Sequence, residues 1–322
     1  MTSPTEQTIH DQYGYWERAP LPQAAATPDA ALAVIGCGTS YNLALSIAAA
    51  SNAAGIRAVA VPGNEWLRRP QNYVPDWRGA TVVALSRSGE STETVAAARR
   101  SRDEGLPVVA VTCEAQSSLA RLGTSVLYAQ TDPAEGIVMT TSASLMLLMG
   151  LRHVGATLDV GAAVAAARRL AAAVDGEARA LTQDVRHVVY LGAGAAYGVA
   201  VEGGLKLQEM SQVFTQAYHP LEYRHGPISL VDTGTLVVML YGTETPEEEA
   251  ALVRDVQARG ARVLGLGGPG DISLTLGETG ATRLLATLPA LQLLGERMAN
   301  ARALDTSAPR HLTKIVRIAE SA

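Results

Sequence analysis

The second half of this chain repeats landmarks of its first half in the same order. The matching segments are residues 35–41 (IGCGTSY) with 191–197 (LGAGAAY), 79–85 (GATVVAL) with 234–240 (GTLVVML), and Gly105 with Gly260. Each pair is separated by 155 or 156 positions, a period far longer than that of a solenoid repeat. We therefore predict two homologous domains, which is also the number that a length of 322 residues favours.

Each half alternates short apolar runs with longer helical patterns. In the first half, the apolar runs lie at residues 32–36, 57–62, 81–86 and 107–112. Continuous apolar runs are typical of parallel strands that are covered by helices on both faces. The sequence therefore predicts an α/β fold with two homologous, doubly wound (flavodoxin-like) parallel-sheet domains.

The domain boundaries follow from the same pattern. The predicted segments are an N-terminal helical segment at 1–28 with its helix at 5–18, a first domain at 29–160, and a second domain at 161–322. The Ala-rich stretch at 161–182 is predicted to be a helix that links the two domains.

The composition restricts the class of protein. With 48% hydrophobic and 18% charged residues, the chain is able to bury a sizeable core. A net charge of −5 and a pI of about 5.7 argue against a nucleic-acid-binding surface. No apolar run reaches the ~18 residues that a bilayer crossing needs, and the N-terminus lacks the apolar core of a signal peptide. Cys37 and Cys113 provide neither a disulfide framework nor paired zinc-ligand spacing. We expect a cytoplasmic protein without nucleic-acid, membrane or metal partners.

Ligands of open parallel sheets bind beyond the carboxyl ends of the strands, so the loops at those ends carry most of the functional information. The loop at 36–40 (GCGTS) begins like a dinucleotide-binding G-x-G-x-x-G pattern, but Tyr41 stands where the third glycine belongs. The second-half loop GAGAAYG is closer to that pattern, yet no acidic residue clearly ends the next strand. We therefore predict no nicotinamide cofactor. The alternative interpretation is a tight turn with Ser40 as a helix cap.

A cluster of serines follows the next strand of the first half, where a helix is predicted to begin. Ser86, Ser88 and Ser91 surround Arg87 in the sequence SRSGES. Hydroxyls and backbone N–H groups at a helix N-terminus form a phosphate site, and an arginine adds a bidentate contact. Ordinary capping requires only one of these serines, and the second-half counterpart at 241–245 has no serine cluster. The sequence therefore favours anion binding over capping.

One helix of the second half carries three charged residues on a single face. Glu202, Lys206 and Glu209 are spaced i, i+4 and i+7, which places them within a narrow stripe. An exposed, salt-bridged stripe is the alternative interpretation. The corresponding helix of the first half has no charges, so the fold does not need them. A carboxylate beside an ammonium suits proton transfer next to a carbonyl group.

A proline-bounded segment at 219–227 (HPLEYRHGP) gathers two histidines, an acid and an arginine. Its histidines suggest acid–base catalysis, while a structural turn and a metal site are the alternatives. No third metal ligand is evident in this loop, so we predict no metal.

These motifs together resemble the tandem SIS (sugar isomerase) domain family. The residues that carry the resemblance are GTS at 38–40, SRSGES at 86–91, EGGLKLQEMS at 202–211, EYRHGP at 222–227 and PRHLTK at 309–314. It covers residues from about 30 to 318. The family includes the isomerase half of glucosamine-6-phosphate synthase, amino-sugar-phosphate deaminases, fructosamine-phosphate deglycases and tagatose-phosphate ketose/aldose isomerases.

The resemblance implies a role for each matching residue. Glu209 matches the base that moves a proton between C1 and C2, and Lys206 and Glu202 match its neighbours. His225 matches a ring-opening histidine that comes from the partner subunit of a dimer in related enzymes. Lys314, in the C-terminal tail of the second domain, matches a lysine that forms a Schiff base with the open-chain ketose. The residues implied in substrate binding are Cys37, Gly38, Thr39, Ser40, Ser86, Arg87, Ser88, Ser91 and Thr140.

The sequence also departs from the family pattern. Arg87 stands where the synthase-type loop usually has glutamine, Ser142 replaces a frequent lysine, and Ser91 replaces a threonine. The 218–227 segment looks like the isomerase and deglycase branch, whereas PRHLTK looks like the synthase and deaminase branch. No glutaminase domain precedes residue 30, so we do not expect complete glutamine-dependent synthesis of glucosamine 6-phosphate.

The resemblance predicts a phosphosugar aldose–ketose isomerase without a cofactor, which acts on a ketose or amino-sugar phosphate with or without loss of an amine. A fructosamine-phosphate deglycase and a non-catalytic sugar-phosphate sensor are the alternatives. We expect a homodimer with shared active sites, and the apolar stretch at 143–151 is a candidate for part of the subunit contact.

Overall fold

The computed structural model describes residues 2–22, 25–27 and 31–316. Their contacts divide the chain into two units. The first-sheet unit comprises Asp11–Leu158 and His311–Ala322, and the second-sheet unit comprises Met1–His10 and Asp159–Arg310. The C-terminal segment thus groups with the first sheet. The predicted boundary at residues 28 and 29 lies outside the described residues.

The first-sheet unit contains five parallel strands in the order β2-β1-β3-β4-β5. Its strands are β1 Ala31–Gly36, β2 Arg57–Pro62, β3 Ala80–Leu85, β4 Val108–Thr112 and β5 Ser125–Tyr128. The helices of this part of the chain are α1 Pro4–Arg18, within which the unit boundary falls, α2 Thr39–Ala53, α3 Gly63–Arg68, α4 Thr92–Asp103, α5 Ser118–Leu122 and α6 Thr141–His153. Short 3-10 helices lie at Pro70–Asn72 and Trp77–Gly79.

The second-sheet unit repeats this arrangement. Its strands are β6 His187–Gly192, β7 Phe214–Tyr218, β8 Thr235–Leu240, β9 Arg262–Leu266 and β10 Ile272–Leu274. Its helices are α7 Val160–Gly176, α8 Ala178–Thr182, α9 Ala196–Ser211, α10 Pro246–Gln257 and α11 Gly280–Asn300, with 3-10 helices at Leu221–Arg224 and Pro227–Leu230. The strand order β7-β6-β8-β9-β10 is that of the first sheet, which confirms the predicted α/β fold of two doubly wound parallel sheets.

The repeat extends to individual residues at the sheet centres. Val34 of β1 pairs with Ala60 and Val83, and Tyr190 of β6 pairs with Ala217 and Val238. Val34 and Tyr190 are separated by 156 positions, the offset seen in the sequence. The central strands β3, β4 and β8 are almost entirely buried, as continuous apolar runs predict for strands covered on both faces. Among the described helices, none combines the length and the apolar character that a bilayer crossing requires.

Two sequence-based expectations need correction. The helix predicted at 161–182 is present, but a break of one residue at Glu177 divides it into α7 and α8. The apolar stretch at 143–151, proposed above for a subunit contact, lies in α6 and is buried within the chain itself. It packs against α2 and β4 and therefore has no surface left for a partner.

Two consecutive glycines on α9 give a matched test of how closely this helix approaches its neighbours. A Cβ atom at Gly203 would lie 2.7 Å from Leu291 Cδ1 and 2.9 Å from Tyr190 Cε1, whereas one at Gly204 would meet nothing closer than 3.5 Å. We expect Gly203→Ala to be less stable than Gly204→Ala by about 1–3 kcal/mol, because only the former overpacks the core. Thermal or urea unfolding of both variants measures the difference. Equal stability would show that α9 does not depend on this close contact.

Candidate functional site

The serine loop, residues 86–91, connects the carboxyl end of β3 with α4 in the first-sheet unit. Ser86 is buried, and its Oγ accepts a hydrogen bond from the Gly89 N–H (3.1 Å) and lies 3.2 Å from Ser91 Oγ. Ser91 is the N-cap residue of α4, but its side chain accepts no hydrogen bond from the helix. The Ser91 hydroxyl therefore does not cap the first N–H groups of α4, as the side chain of an N-cap residue normally does. The start of α4 is thereby suited to bind an anion.

The serine loop is held in place by α5. Gly89 has a φ of 63°, and a Cβ atom there would lie 2.1 Å from Ser117 Oγ, so this position requires glycine. The Leu119 N–H donates to the carbonyl of Gly89 (3.0 Å), and the Ser118 N–H donates to Glu90 Oε1 (2.7 Å). Glu90 thus has a structural role, and the loop has one defined shape.

The loop at 37–40 lies beside the start of α4. Cys37 Sγ is 3.5 Å from Thr94 Oγ1, and burial raises the pKa of this thiol, so it stays protonated. Gly38 has a φ of 55°, like Gly194 at the corresponding position of the second half. Thr39 and Ser40 are buried in the first turn of α2. The structure therefore brings two of the predicted substrate loops together within one unit.

Arg87 has its side chain turned toward main-chain carbonyl groups. The guanidinium donates to the carbonyl oxygens of Gly136 (3.0 Å), Ile137 (3.2 Å) and Lys314 (3.1 Å). It also lies 3.5 Å from the Glu135 carboxylate, and it is 8% exposed. Its donors are directed away from the bidentate phosphate contact expected above, which stays a prediction.

Glu135 is a central residue that the sequence analysis missed. Its Oε1 accepts hydrogen bonds from the N–H groups of Thr140 (2.7 Å) and Ser142 (2.9 Å), so the carboxylate caps the start of α6. The hydroxyl of Thr140, a predicted substrate contact, is fully buried and donates to the same oxygen (3.1 Å). Ser142 Oγ is buried without a hydrogen-bond partner in the described structure. The sequence analysis predicted no helix after this residue, so nothing pointed to a capping role for it.

Lys314 lies in the exposed segment 311–316 of the same unit. Its Nζ donates to the main-chain carbonyl of Glu135 (2.7 Å). The structure thus joins the C-terminal lysine, Arg87 of the serine loop and Glu135 in one cluster, although Arg87 and Lys314 are 227 positions apart.

The second-sheet unit holds the charged stripe on α9. Glu202 and Lys206 are at most 1% exposed, and Glu209 is 19% exposed. Lys206 Nζ lies 3.6 Å from Glu202 Oε1 and forms a hydrogen bond with Glu209 Oε2. The first two residues are therefore not part of an exposed salt-bridged surface. Burying charges is unfavourable unless they are paired, so this arrangement has a role other than solubility.

The 219–227 segment follows β7 in the second-sheet unit. His225 is exposed, and its side chain makes no hydrogen bond or ion pair to any described residue. The ring of His219 stacks on Tyr197 with centroids 4.1 Å apart, and Arg224 pairs with Asp255 of α10 at 3.0 Å. Arg224 therefore fixes the loop, and His225 projects into solvent. Within the described parts of the chain, no three His, Cys, Asp or Glu residues are grouped so as to hold a metal ion.

The loop that corresponds to the serine loop in the second half, residues 241–245, has its donors occupied. The Gly242 N–H (2.8 Å) and the Thr245 hydroxyl (3.1 Å) both donate to the carboxylate of Glu249, which burial keeps at a raised pKa. Pro246 is the first residue of α10, and Thr92 is the first residue of α4. Because proline has no N–H group, α10 has one donor fewer at its start than α4. An external anion is therefore disfavoured in this half.

Comparison with protein families and known proteins gave consistent matches. The model of the SIS domain family matches residues 29–153 and 181–275. The glutamine–fructose-6-phosphate aminotransferase (isomerizing) of Pyrobaculum aerophilum is 31% identical over 310 residues, which cover 88% of this chain and 51% of the relative. The chain spans about half the length of the curated relatives it matches.

Solved structures match over nearly the whole chain. A glucosamine-6-phosphate deaminase of Thermotoga maritima has a TM-score of 0.82 at 28% identity, covering 98% of this chain and 99% of that protein. A tagatose-6-phosphate ketose/aldose isomerase of Escherichia coli has a TM-score of 0.80 at 19% identity, covering 99% and 97%. At that identity the second match supports the fold alone.

Proposed function

Because this chain belongs to the SIS domain family, we propose that it is a phosphosugar isomerase that moves a proton between C1 and C2 of an amino-sugar or ketose phosphate. The observation that carries this proposal is the buried stripe of Glu202, Lys206 and Glu209 on α9. A protein that only sensed sugar phosphates would not need a carboxylate base paired with a buried ammonium. The first-half counterpart α2 lacks these charges, so the fold does not require them.

The residues have distinct roles in this proposal. The hydroxyls of Ser86, Ser88 and Ser91 hold the phosphate at the N-terminus of α4, and His225 assists opening of the sugar ring. Glu209 removes a proton from one carbon of the open-chain sugar and returns it to the neighbouring carbon. The Lys206 ammonium stabilises the negative charge that develops between these two steps. The intermediate is an enediol or an enolamine.

We assign an amino-sugar phosphate as the preferred substrate, with release of its amine. The similarity to the Thermotoga maritima glucosamine-6-phosphate deaminase over almost the full length of both chains supports this choice. Transfer of a proton from C2 to C1 of the open-chain amino aldose gives a C2 imine. Addition of one water molecule to that imine releases ammonia and leaves the ketose phosphate, so atoms balance without a redox step.

Incubation with glucosamine 6-phosphate in D₂O, followed by NMR, tests the proposed function. We expect formation of fructose 6-phosphate, release of ammonia and incorporation of deuterium at C1. Interconversion of aldose and ketose phosphates without an amine would identify a simple isomerase. Turnover of a fructosamine phosphate alone would favour a deglycase. Binding without any exchange of carbon-bound protons would contradict catalysis and favour a sensor.

We further propose a homodimer in which His225 acts in the partner's active site. Support comes from its exposed imidazole, which makes no hydrogen bond or ion pair within the described part of its own chain. Mixing His225→Ala with Glu209→Gln chains is expected to restore up to roughly a quarter of wild-type activity, because half of the randomly formed dimers are mixed and each has one intact site. Activity that stays at the level of the separate variants, with subunit exchange demonstrated by mass spectrometry, would contradict the sharing of sites.

A further inference from the structure

The C-terminal segment 311–316 is attached to the first-sheet unit at two points. Arg87 Nη2 donates to the main-chain carbonyl of Lys314 (3.1 Å), and Lys314 Nζ donates to the main-chain carbonyl of Glu135 (2.7 Å). No other hydrogen bond joins this segment to the rest of the described unit. Leu312 and Val316 contribute little apolar burial, since they are 39% and 59% exposed, and Ile315 is partly buried. The polar attachment of the segment therefore depends on Arg87 and Glu135.

Arg87 and Glu135 are themselves rigidly placed. The Arg87 carbonyl accepts hydrogen bonds from Thr112 Oγ1 (3.2 Å) and the Cys113 N–H (3.0 Å) at the end of β4. The Glu135 carboxylate, 1% exposed, caps α6 and neutralises the guanidinium charge. The planar guanidinium donates to three carbonyl oxygens from two chain segments at once. A lysine does not reproduce this geometry, because it has a single nitrogen.

We propose that Arg87 and Glu135 are positioning residues that dock segment 311–316 and so set the place of Lys314 next to the serine loop. Arg87 belongs to the serine loop through its main chain and holds the C-terminal segment through its side chain. The two parts of the first-sheet unit that carry predicted substrate contacts are thereby fixed to each other. The docking stands on the geometry alone, whereas its consequence for catalysis rests on the proposed function and on the Schiff-base role that the family resemblance implies for Lys314.

That consequence concerns the reaction of Lys314 with the open-chain ketose. In that step the Lys314 amine leaves the carbonyl of Glu135 and forms a C=N bond to C2, and the carbonyl oxygen of the sugar leaves as water with the two amine protons. The hydrogen bond from Arg87 still holds the segment during the reaction. Such a bond forms efficiently only if the amine is held close to the bound carbonyl. An undocked segment would present the lysine at random distances, so fewer bound sugars would react.

Limited digestion of the ligand-free protein with proteinase K, followed by mass spectrometry, tests the docking. We expect cleavage within residues 311–316 to be about tenfold faster or more in Arg87→Gln, because the segment loses a hydrogen bond from a charged donor. The double variant Arg87→Gln/Glu135→Gln leaves no unpaired buried charge. It is used for the same measurement if the single variant folds poorly. Lys314→Ala, at an exposed position, removes the second attachment without disturbing the core. Arg69→Gln, which breaks an exposed ion pair with Glu65 in the same unit, is the control and should change nothing there. Unchanged cleavage within 311–316 in the folded variants would overturn the proposal.

Borohydride trapping with saturating fructose 6-phosphate separates the docking from the proposed function. In the wild type we expect a reduced sugar adduct on Lys314, detected by mass spectrometry, and a yield at least about tenfold lower in Arg87→Gln. Saturation removes any effect of Arg87 on phosphate affinity. A wild type without an adduct, combined with faster cleavage in the variants, would refute the role of Lys314 and retain the docking. A full adduct yield in Arg87→Gln with unchanged cleavage would refute the docking and retain the proposed function.

Discussion

Glu209→Gln is expected to lower turnover by about 10²–10⁴-fold while the protein stays folded. Glutamine retains the shape of the side chain and an oxygen that accepts the hydrogen bond from Lys206, but it has no basic carboxylate. Glu202 remains 3.6 Å from Lys206, so the buried ammonium keeps a counter-charge. The effect should therefore appear in kcat, with thermal stability close to that of the wild type.

Exchange of carbon-bound protons measures this prediction directly. Deuterium incorporation at C1 or C2 of bound substrate should disappear together with turnover. Glu247→Gln, which changes an exposed carboxylate on α10 of the same unit, serves as the control and should exchange normally. If Glu209→Gln exchanges at the wild-type rate, Glu202 or another group is the base.

Replacing Ser86 and Ser88 together with alanine should weaken the binding of sugar phosphates by about 10²–10⁴-fold. Each hydrogen bond to a charged group contributes about 1.5–3 kcal/mol, and the double variant removes two of them. The Gly89 N–H loses the Ser86 hydroxyl as an acceptor but keeps the main-chain carbonyl of Ser86 (3.1 Å), so the turn of the loop is retained. Because the lost contacts are to the phosphate, the same sugars without phosphate should bind with unchanged affinity.

The second half of the chain provides a matched control for this prediction. Thr243 occupies the position that corresponds to Ser88 at an offset of 155 residues, in a loop whose donors already serve Glu249. Titration calorimetry should show that Thr243→Ala leaves phosphate affinity unchanged. Equal affinity of the Ser86→Ala/Ser88→Ala variant and the wild type for sugar phosphates would exclude the serine loop as the phosphate site.

Features with a regular spacing could be predicted from the sequence. The offset of 155 to 156 residues predicted two sheets, and both have the same strand order. The helical spacing of Glu202, Lys206 and Glu209 predicted that they share a face of α9, and the structure joins all three through Lys206. Both inferences depend on backbone geometry that repeats along the chain.

The Arg87 cluster could not be predicted in this way. Its hydrogen bonds connect residues that are 49 to 227 positions apart, and no periodic pattern links them. The sequence suggested a phosphate contact for Arg87 because arginine pairs well with anions, but carbonyl oxygens satisfy the same donors when the side chain is buried. The role of Glu135 could not be predicted, because in a sequence an acid that caps a helix cannot be distinguished from an acid that does not.

The Glu249 carboxylate has a consequence for how the two halves diverged. In the second half this carboxylate is an intramolecular ligand of the loop at 241–245, because it belongs to the same chain and accepts a hydrogen bond from the Gly242 N–H. A tethered group has an effective concentration in the millimolar range or higher, so it outcompetes a dilute free anion for the same donors. A duplicated loop needs only one such acid on the following helix to lose its external ligand while keeping its shape. Glu249 thus closes the 241–245 loop with a group of its own chain, and one acid at this place is enough to make two loops of the same shape differ in their access to anions.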